Sequence, residues 1–137
     1  WCGLAATLLR NPLAGAAVRA VLDVLEEEKL LDRAKAVGET LMTGLKAIAR
    51  KHASIGEVRG LGAMVAVELF KNGDLHQPDA DLTKRVCAEA IKRGLVMLSC
   101  GTYGNVLRIL VPLTVPDAQL AEGLGLLAEA FDAATAA

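Results

Sequence analysis

The residue best suited to chemistry in this sequence is an arginine inside an apolar segment. Arg108 lies within Val106–Val111, and a β-strand there would place it on the face opposite Leu107 and Ile109. A guanidinium among apolar neighbours is costly unless it is paired, and its planar donors fit a carboxylate or phosphate through two parallel hydrogen bonds. The pattern therefore predicts that Arg108 binds an anion.

The residues alone leave two other interpretations of Arg108 open. Its guanidinium could pair with a structural carboxylate such as Glu68 on a neighbouring strand, or it could project into solvent at a sheet edge. The turn that precedes it does not decide between them, because Gly101 and Gly104 permit either close approach of a ligand or an ordinary hairpin.

Other candidate residues carry weaker signals. His52 and His76 are expected in solvated loops without metal-ligand spacing. Cys87 is expected on a helix face and Cys100 at a strand end, neither near a base in the sequence, so neither is predicted to be a nucleophile. Gly60–Gly62 leads into a strand rather than the helix of a phosphate-binding loop, and we interpret it as a bend. We predict no metal site and no catalytic residue in this chain.

Composition restricts the class of protein. The 137 residues are enough for one domain, and a net charge of -1 favours neither nucleic acid nor an anionic membrane as a partner. Charges interrupt every apolar stretch before it reaches the roughly 18 residues that a membrane span needs, so a soluble protein is expected. Cys2, Cys87 and Cys100 are odd in number and far apart, which indicates free thiols and a cytoplasmic location.

Hydrophobic periodicity predicts the order α-α-β-β-α-β-β-α. The expected fold is α+β, a small, mostly antiparallel sheet with amphipathic helices on one face, whose other face needs a cover, a ligand or a partner. The expected elements are a helix begun by Asn11-Pro12 and ending near Glu28, a helix through Ala34–Ile48, a strand pair from Val58 to Phe70 broken at Gly60–Gly62, a helix from Pro78 to Arg93, a short buried strand over Leu95–Ser99, a strand over Val106–Val111, and a helix begun by Thr114.

Three segments resemble one enzyme family. Gly101–Thr114 (GTYGNVLRILVPLT) looks like the C-terminal segment of bacterial 4-aminobutyrate aminotransferases. Val58–Leu69 (VRGLGAMVAVEL) resembles another block of that family, and Asn11–Ala14 (NPLA) resembles the start of its inter-domain helix. The segments follow the family's order and spacing, so the resemblance to class III (ω-amino acid) aminotransferases, which depend on pyridoxal phosphate (PLP), extends from Asn11 onward.

The resemblance implies a larger, cytoplasmic homodimeric enzyme. Residues 11–137 would be its C-terminal small domain in PLP fold type I, preceded by an atypical stretch at residues 1–10, and an N-terminal large domain would hold PLP. The amino donor would be 4-aminobutyrate or 5-aminovalerate, and the acceptor 2-oxoglutarate. Arg108 matches the family arginine that binds the α-carboxylate of glutamate or 2-oxoglutarate.

Two further expectations concern the cofactor. The resemblance aligns Thr7 with a family threonine, preceded there by two glycines, that donates to the PLP phosphate of the neighbouring subunit. Here Ala5 and Ala6 replace the glycines, and their methyl groups and the bulky Leu8 hinder close backbone approach to a phosphate. None of the seven lysines matches the family's Schiff-base lysine, so this chain alone is expected neither to bind PLP nor to transaminate. The seven lysines are Lys29, Lys35, Lys46, Lys51, Lys71, Lys84 and Lys92. One alternative is a stand-alone, non-catalytic domain for carboxylate binding or association. Another is a related class III enzyme with a different amine donor, such as an ornithine or putrescine aminotransferase.

Overall fold

The computed structural model describes residues 11–136. The chain divides into two compact units, one that ends at Ala34 and one that begins at Lys35. Helix α1 (Pro12–Glu27) belongs to the first unit, and helix α2 (Leu30–Ala49) crosses the boundary. Both helices confirm the predictions made for residues 12–49.

Helix α1 begins where the sequence predicts. The side-chain Oδ1 of Asn11 accepts hydrogen bonds from the backbone N–H groups of Leu13 at 3.1 Å and Ala14 at 3.4 Å. Pro12 takes the first helical position, where an N–H would have no partner within the helix. The Asn-Pro pair therefore fixes the start of this helix.

The second unit contains a four-stranded antiparallel sheet in the order β1-β2-β4-β3. Its strands and helices are β1 (Ile55–Leu61), β2 (Met64–Leu69), α3 (Ala80–Lys92), β3 (Leu98–Cys100), β4 (Val106–Leu110) and α4 (Asp117–Ala136), with a short 3-10 turn at Lys71–Gly73 after β2. This architecture confirms the predicted α+β fold, and it places β2 and β4 at the centre of the sheet.

One face of the sheet forms the core with the helices. Val65, Val67 and Leu107 are fully buried on it, and burial of each such side chain stabilises the fold by about 1.5–3 kcal/mol. The helices contribute buried apolar side chains to the same core, among them Leu41, Leu45, Val86, Leu127 and Phe131. This face is fixed by packing, whereas the opposite face is not.

The opposite face of the sheet carries a cross-strand row of residues. Arg59 lies opposite Ala66, Ala66 lies opposite Arg108, and Arg108 lies opposite Leu98. Large apolar side chains on this face remain exposed, namely Leu61, Met64, Leu98 and Leu110. This is the face that the sequence pattern predicts to need a cover, a ligand or a partner.

The third strand differs from its prediction as a short buried strand over Leu95–Ser99. Strand β3 begins only at Leu98, which is 69% exposed, and Val96 before it is 78% exposed. The strand lies at the sheet edge with β4 as its neighbour, so it gains burial from one side only. An apolar run in the sequence does not distinguish an edge strand from a central one.

Helix α3 ends and begins as predicted. The Asp79 side chain accepts a hydrogen bond from Leu82 N–H at 2.9 Å, and Gly94 adopts a φ of +85° after the C-cap residue Arg93.

Within residues 11–136, no helix combines the length and the apolar character that crossing a membrane requires.

Candidate functional site

Arg108 occupies the middle of the central strand β4. Its strand neighbours Leu107 and Ile109 are buried on the helix-covered side, and Arg108 is exposed on the opposite face. The predicted alternation is therefore confirmed. Among residues 11–136, the Arg108 guanidinium makes no hydrogen bond and no ion pair, so its N–H donors are available to a ligand.

Glu68, the structural partner considered for Arg108, is engaged elsewhere. Arg59 Nη1 lies 2.5 Å from Glu68 Oε2, and Asn105 Nδ2 donates to Glu68 Oε1 at 3.3 Å. Both carboxylate oxygens therefore have partners other than Arg108, and the interpretation of Arg108 as a structural ion pair with Glu68 is wrong. The sheet-edge interpretation is also wrong, because β4 has a neighbouring strand on each side.

Arg59 is held between two carboxylates. Its Nη1 also lies 2.5 Å from Glu57 Oε2. The hydrogen bond to Glu68 raises the pKa of Arg59 above its ordinary value, and Glu57 acts in the same direction while partial burial opposes both. Arginine is charged at neutral pH in any case, so the raised pKa reflects the pairing of Arg59 with both carboxylates.

The turn before β4 has the geometry of an ordinary hairpin. Gly101 and Gly104 have φ values of +85° and +66°, which glycine adopts without strain, and Gly104 N–H donates to Gly101 O at 3.1 Å. A Cβ on Gly101 would lie 2.9 Å from Val106 Cγ2. These two glycines are therefore explained by the turn and its packing.

An apolar cavity of about 370 Å³ opens beside Arg108. Apolar side chains from β3, β4 and α4 line it, including Leu98, Leu110 and Leu124, and Arg108 is the one charged residue of its described lining. The site thus combines a guanidinium with an adjoining aliphatic wall. Such a combination suits a small acid whose carboxylate is joined to an apolar chain.

The chain matches the family described as Aminotransferase class-III over residues 2–131. It belongs to that family. The match covers most of the chain, including the sheet with the Arg108 strand, helix α3 and most of helix α4. The resemblance found in the three sequence segments is confirmed.

Two relatives of known activity are similar to this class III aminotransferase chain. The 5-aminovalerate aminotransferase DavT of Pseudomonas aeruginosa is 57% identical over 130 residues, which cover 95% of this chain and 30% of that protein. The 4-aminobutyrate aminotransferase GabT of Escherichia coli K12 is 54% identical over 132 residues, 96% of this chain and 31% of that protein. The chain therefore spans about 30% of the length of these relatives.

Solved structures give the same result for the fold. A Bacillus anthracis aminotransferase superposes with a TM-score of 0.80 at 28% identity, over 89% of this chain and 28% of that one. A phospholyase from Arthrobacter in complex with phosphoethanolamine superposes with a TM-score of 0.81, also at 28% identity, over 89% of this chain and 29% of that one. The α+β unit is therefore one that class III aminotransferases share.

The cofactor that this family implies is PLP, and the described residues do not make a site for it by themselves. PLP chemistry needs a lysine for imine formation. The four strands that build the face around Arg108 contain no lysine, and all seven lysines of the class III aminotransferase chain are exposed. Thr7, the predicted phosphate contact, lies outside the described residues.

His52 contradicts its prediction as a solvated loop residue. It is 8% exposed, its Nε2 lies 3.1 Å from Asp132 Oδ1, and its ring centroid lies 5.4 Å from that of Phe131. His52 therefore belongs to the packing between the α2–β1 connection and the end of α4. His76, by contrast, is exposed as predicted.

The described cysteines lie where the sequence placed them. Cys87 is on helix α3 and Cys100 ends β3, and both are free and half-buried. Burial raises the pKa of the Cys87 thiol above its ordinary value, which lowers its thiolate fraction at neutral pH.

The sequence alone did not indicate Arg59 or Asn105, because the roles of both residues depend on which strands are neighbours.

Proposed function

We propose that this chain is the C-terminal small domain, residues 11–137, of a PLP-dependent aminotransferase. The enzyme would transfer the amino group of 4-aminobutyrate or 5-aminovalerate to 2-oxoglutarate. Arg108 would bind the α-carboxylate of glutamate or 2-oxoglutarate. The whole enzyme would be a cytoplasmic homodimer, and its large domain would supply PLP and the Schiff-base lysine.

One observation carries the proposal: Arg108 is exposed on a central strand without an ion-pair partner among the described residues. A cation that merely stabilised the sheet would be expected to take the nearby carboxylate of Glu68, which is bound to Arg59 instead. The names of the relatives DavT and GabT support the choice of ω-amino acids as donors. The aliphatic cavity beside Arg108 supports a substrate with an apolar chain.

The first test measures acid binding by the protein that carries this chain, loaded with PLP. Arg108→Met should weaken 2-oxoglutarate and glutamate binding by about tenfold or more, because a charge-assisted hydrogen bond contributes roughly 1.5–3 kcal/mol. Arg50→Met, at an exposed arginine directly after α2, is the matched control and should leave both affinities unchanged. Equal affinities in the Arg108→Met variant and the unaltered protein would contradict the assignment.

The second test distinguishes an enzyme domain from a stand-alone binding module, the alternative favoured by the exposed sheet face. Residues 1–137 alone are titrated calorimetrically with 2-oxoglutarate and assayed for amino transfer with added PLP. We expect no turnover, because no lysine of this chain matches the Schiff-base position. We also expect no measurable binding, because the large domain that would complete the site around Arg108 is absent from the isolated chain. Tight binding by the isolated chain would instead favour a carboxylate-binding module.

A further inference from the structure

Glu68 lies between two arginines on the exposed sheet face. Ala66 on β2 has Arg59 directly opposite it on β1 and Arg108 directly opposite it on β4. Glu68, two residues further along β2, is therefore the diagonal neighbour of both arginines. Diagonal positions are about 7–8 Å apart, which long side chains span.

The carboxylate of Glu68 has paired with Arg59. That contact is 2.5 Å long, Glu57 contacts the same Arg59 nitrogen, and Asn105 Nδ2 donates to the other oxygen of Glu68. The side chain of Glu68 is 21% exposed, so it is the more sheltered of the two carboxylates that Arg59 contacts. Arg59 on β1 thus holds one carboxylate oxygen of Glu68, and Asn105, directly before β4, holds the other, so neither oxygen is paired with Arg108.

We propose that Arg59 is a positioning residue for substrate: by binding Glu68, it prevents that carboxylate from occupying Arg108 in place of the substrate's carboxylate. This inference rests on the proposed function of Arg108. Arg59 does not touch the substrate in this scheme. It removes an intramolecular competitor that is tethered on the next strand and therefore always present at high local concentration.

Without Arg59, Arg108 is the remaining basic residue on the four strands, and it lies diagonal to Glu68. An exposed pair of this kind is weak in absolute terms, yet it competes directly with an external acid for the same N–H donors. If Glu68 paired with Arg108, the apparent affinity for substrate would fall in proportion to the fraction of molecules in which the Arg108 guanidinium stays free. The effect should appear in binding and in KM, while kcat at saturation stays unchanged.

The experiment uses the PLP-loaded protein that carries this chain, with glutarate as a probe because it has two carboxylates but no keto group to react. Arg59→Met keeps the aliphatic stem and removes the charge. Glutarate affinity, measured by calorimetry, should fall by about fivefold. Arg59→Gln repeats the test with a polar side chain, so that the result does not depend on how Met affects folding.

The decisive arm is the double variant Arg59→Met/Glu68→Gln. Affinity should return to about that of the unaltered protein, because the competing carboxylate has been removed. If the Arg59–Glu68 pair had a purely structural role, glutarate affinity would not recover in the double variant. Both the single and the double variant lack the pair. Unchanged affinity in Arg59→Met, or no recovery in the double variant, would overturn the inference.

Two further variants separate this inference from the proposed function. Glu57→Gln removes the other acceptor of Arg59 but leaves the Arg59–Glu68 contact, so glutarate affinity should be preserved. Arg108→Met tests the underlying site directly. If Arg108→Met weakens glutarate binding and Arg59→Met does not, the positioning role fails alone; if Arg108→Met has no effect, the proposed function itself fails.

Discussion

Asn105 and Leu69 exchange two hydrogen bonds across the ends of neighbouring strands. Leu69 N–H donates to Asn105 O at 2.8 Å, and Asn105 Nδ2 donates to Leu69 O at 3.0 Å. Leu69 O also accepts from Asp79 N–H at 3.1 Å, so the end of β2, the start of β4 and the cap of α3 share one carbonyl. Asn105, 1% exposed, thus aligns the strand that carries Arg108.

Two substitutions of Asn105 should lower stability by different amounts, because one removes hydrogen bonds and the other also buries a charge. Asn105→Ala is expected to lower the free energy of unfolding by about 1–2 kcal/mol through the lost amide contacts. Asn105→Asp should cost more at pH 7, because a buried carboxylate would face the acceptors of Leu69 and Glu68. Urea unfolding of the chain measures both, and an Asp variant as stable as the Ala variant would contradict this reasoning.

The sequence was sufficient to find Arg108 but not its neighbours. Strand alternation places Arg108 opposite Leu107 and Ile109 whatever the strand order, because the side-chain period is local. Whether Glu68 pairs with Arg59 or with Arg108 depends on the order β1-β2-β4-β3 and its register, which local patterns do not contain. The same limit applied to Leu95–Ser99, where burial depends on the place of the strand within the sheet.

His52 should behave as a core residue despite its polar type. His52→Ala is expected to lower the free energy of unfolding by about 1–3 kcal/mol, because the ring packs on Phe131 and bonds Asp132. His76→Ala is the matched control at an exposed histidine and should change stability by less than about 0.5 kcal/mol. Thermal or urea unfolding gives the comparison, and equal effects of the two variants would argue against this packing.

The burial of His52 could not be predicted from its surroundings in the sequence. Its neighbours Arg50, Lys51 and Ser54 are typical of a solvated connection. The contacts that bury it come from Asp132 and Phe131, about 80 residues away, and Thr135 Oγ1 lies 3.5 Å from its Nδ1. Only tertiary packing brings these residues together.

Helix α2 passes so close to the β1–β2 turn that only glycine fits at position 38. A Cβ added to Gly38 would lie 2.2 Å from the backbone oxygen of Gly62, so one of the two backbones must move. Gly38→Ala should therefore destabilise the chain by about 1–3 kcal/mol in urea unfolding, despite the better helix propensity of alanine.

A second glycine provides the control for this prediction. Gly125 lies in helix α4 with nothing within 4 Å of an added Cβ. Gly125→Ala should stabilise the chain by about 0.4–1 kcal/mol, because only the helix propensity and the entropy of the unfolded chain change. The opposite signs of the two substitutions are the measurable result, and a stabilising Gly38→Ala would show that the two backbones do not lie this close.

Glu89 on α3 should give the chain an acid-sensitive contribution to stability. Its Oε1 lies 2.6 Å from Lys92 Nζ and its Oε2 lies 2.7 Å from Arg93 Nη1. The hydrogen bond from Lys92, followed by that from Arg93, lowers the pKa of Glu89 below its ordinary value of 4.5. Because the folded-state pKa is the lower one, the contribution is fully present above pH 4.5 and is lost as the pH falls through the folded-state pKa.

The test compares Glu89→Gln with the unaltered chain in urea unfolding across that pH range. The variant should be less stable at pH 7, and the difference should shrink below pH 4.5 as the native carboxylate becomes protonated. Added salt should also reduce the difference at pH 7, since the partner Lys92 is exposed and its ion pair with Glu89 is screened. Glu122→Gln, at an exposed position on α4, controls for the loss of a charge alone. A stability difference for Glu89→Gln that stayed constant with pH would show that the lowered pKa does not contribute to folding.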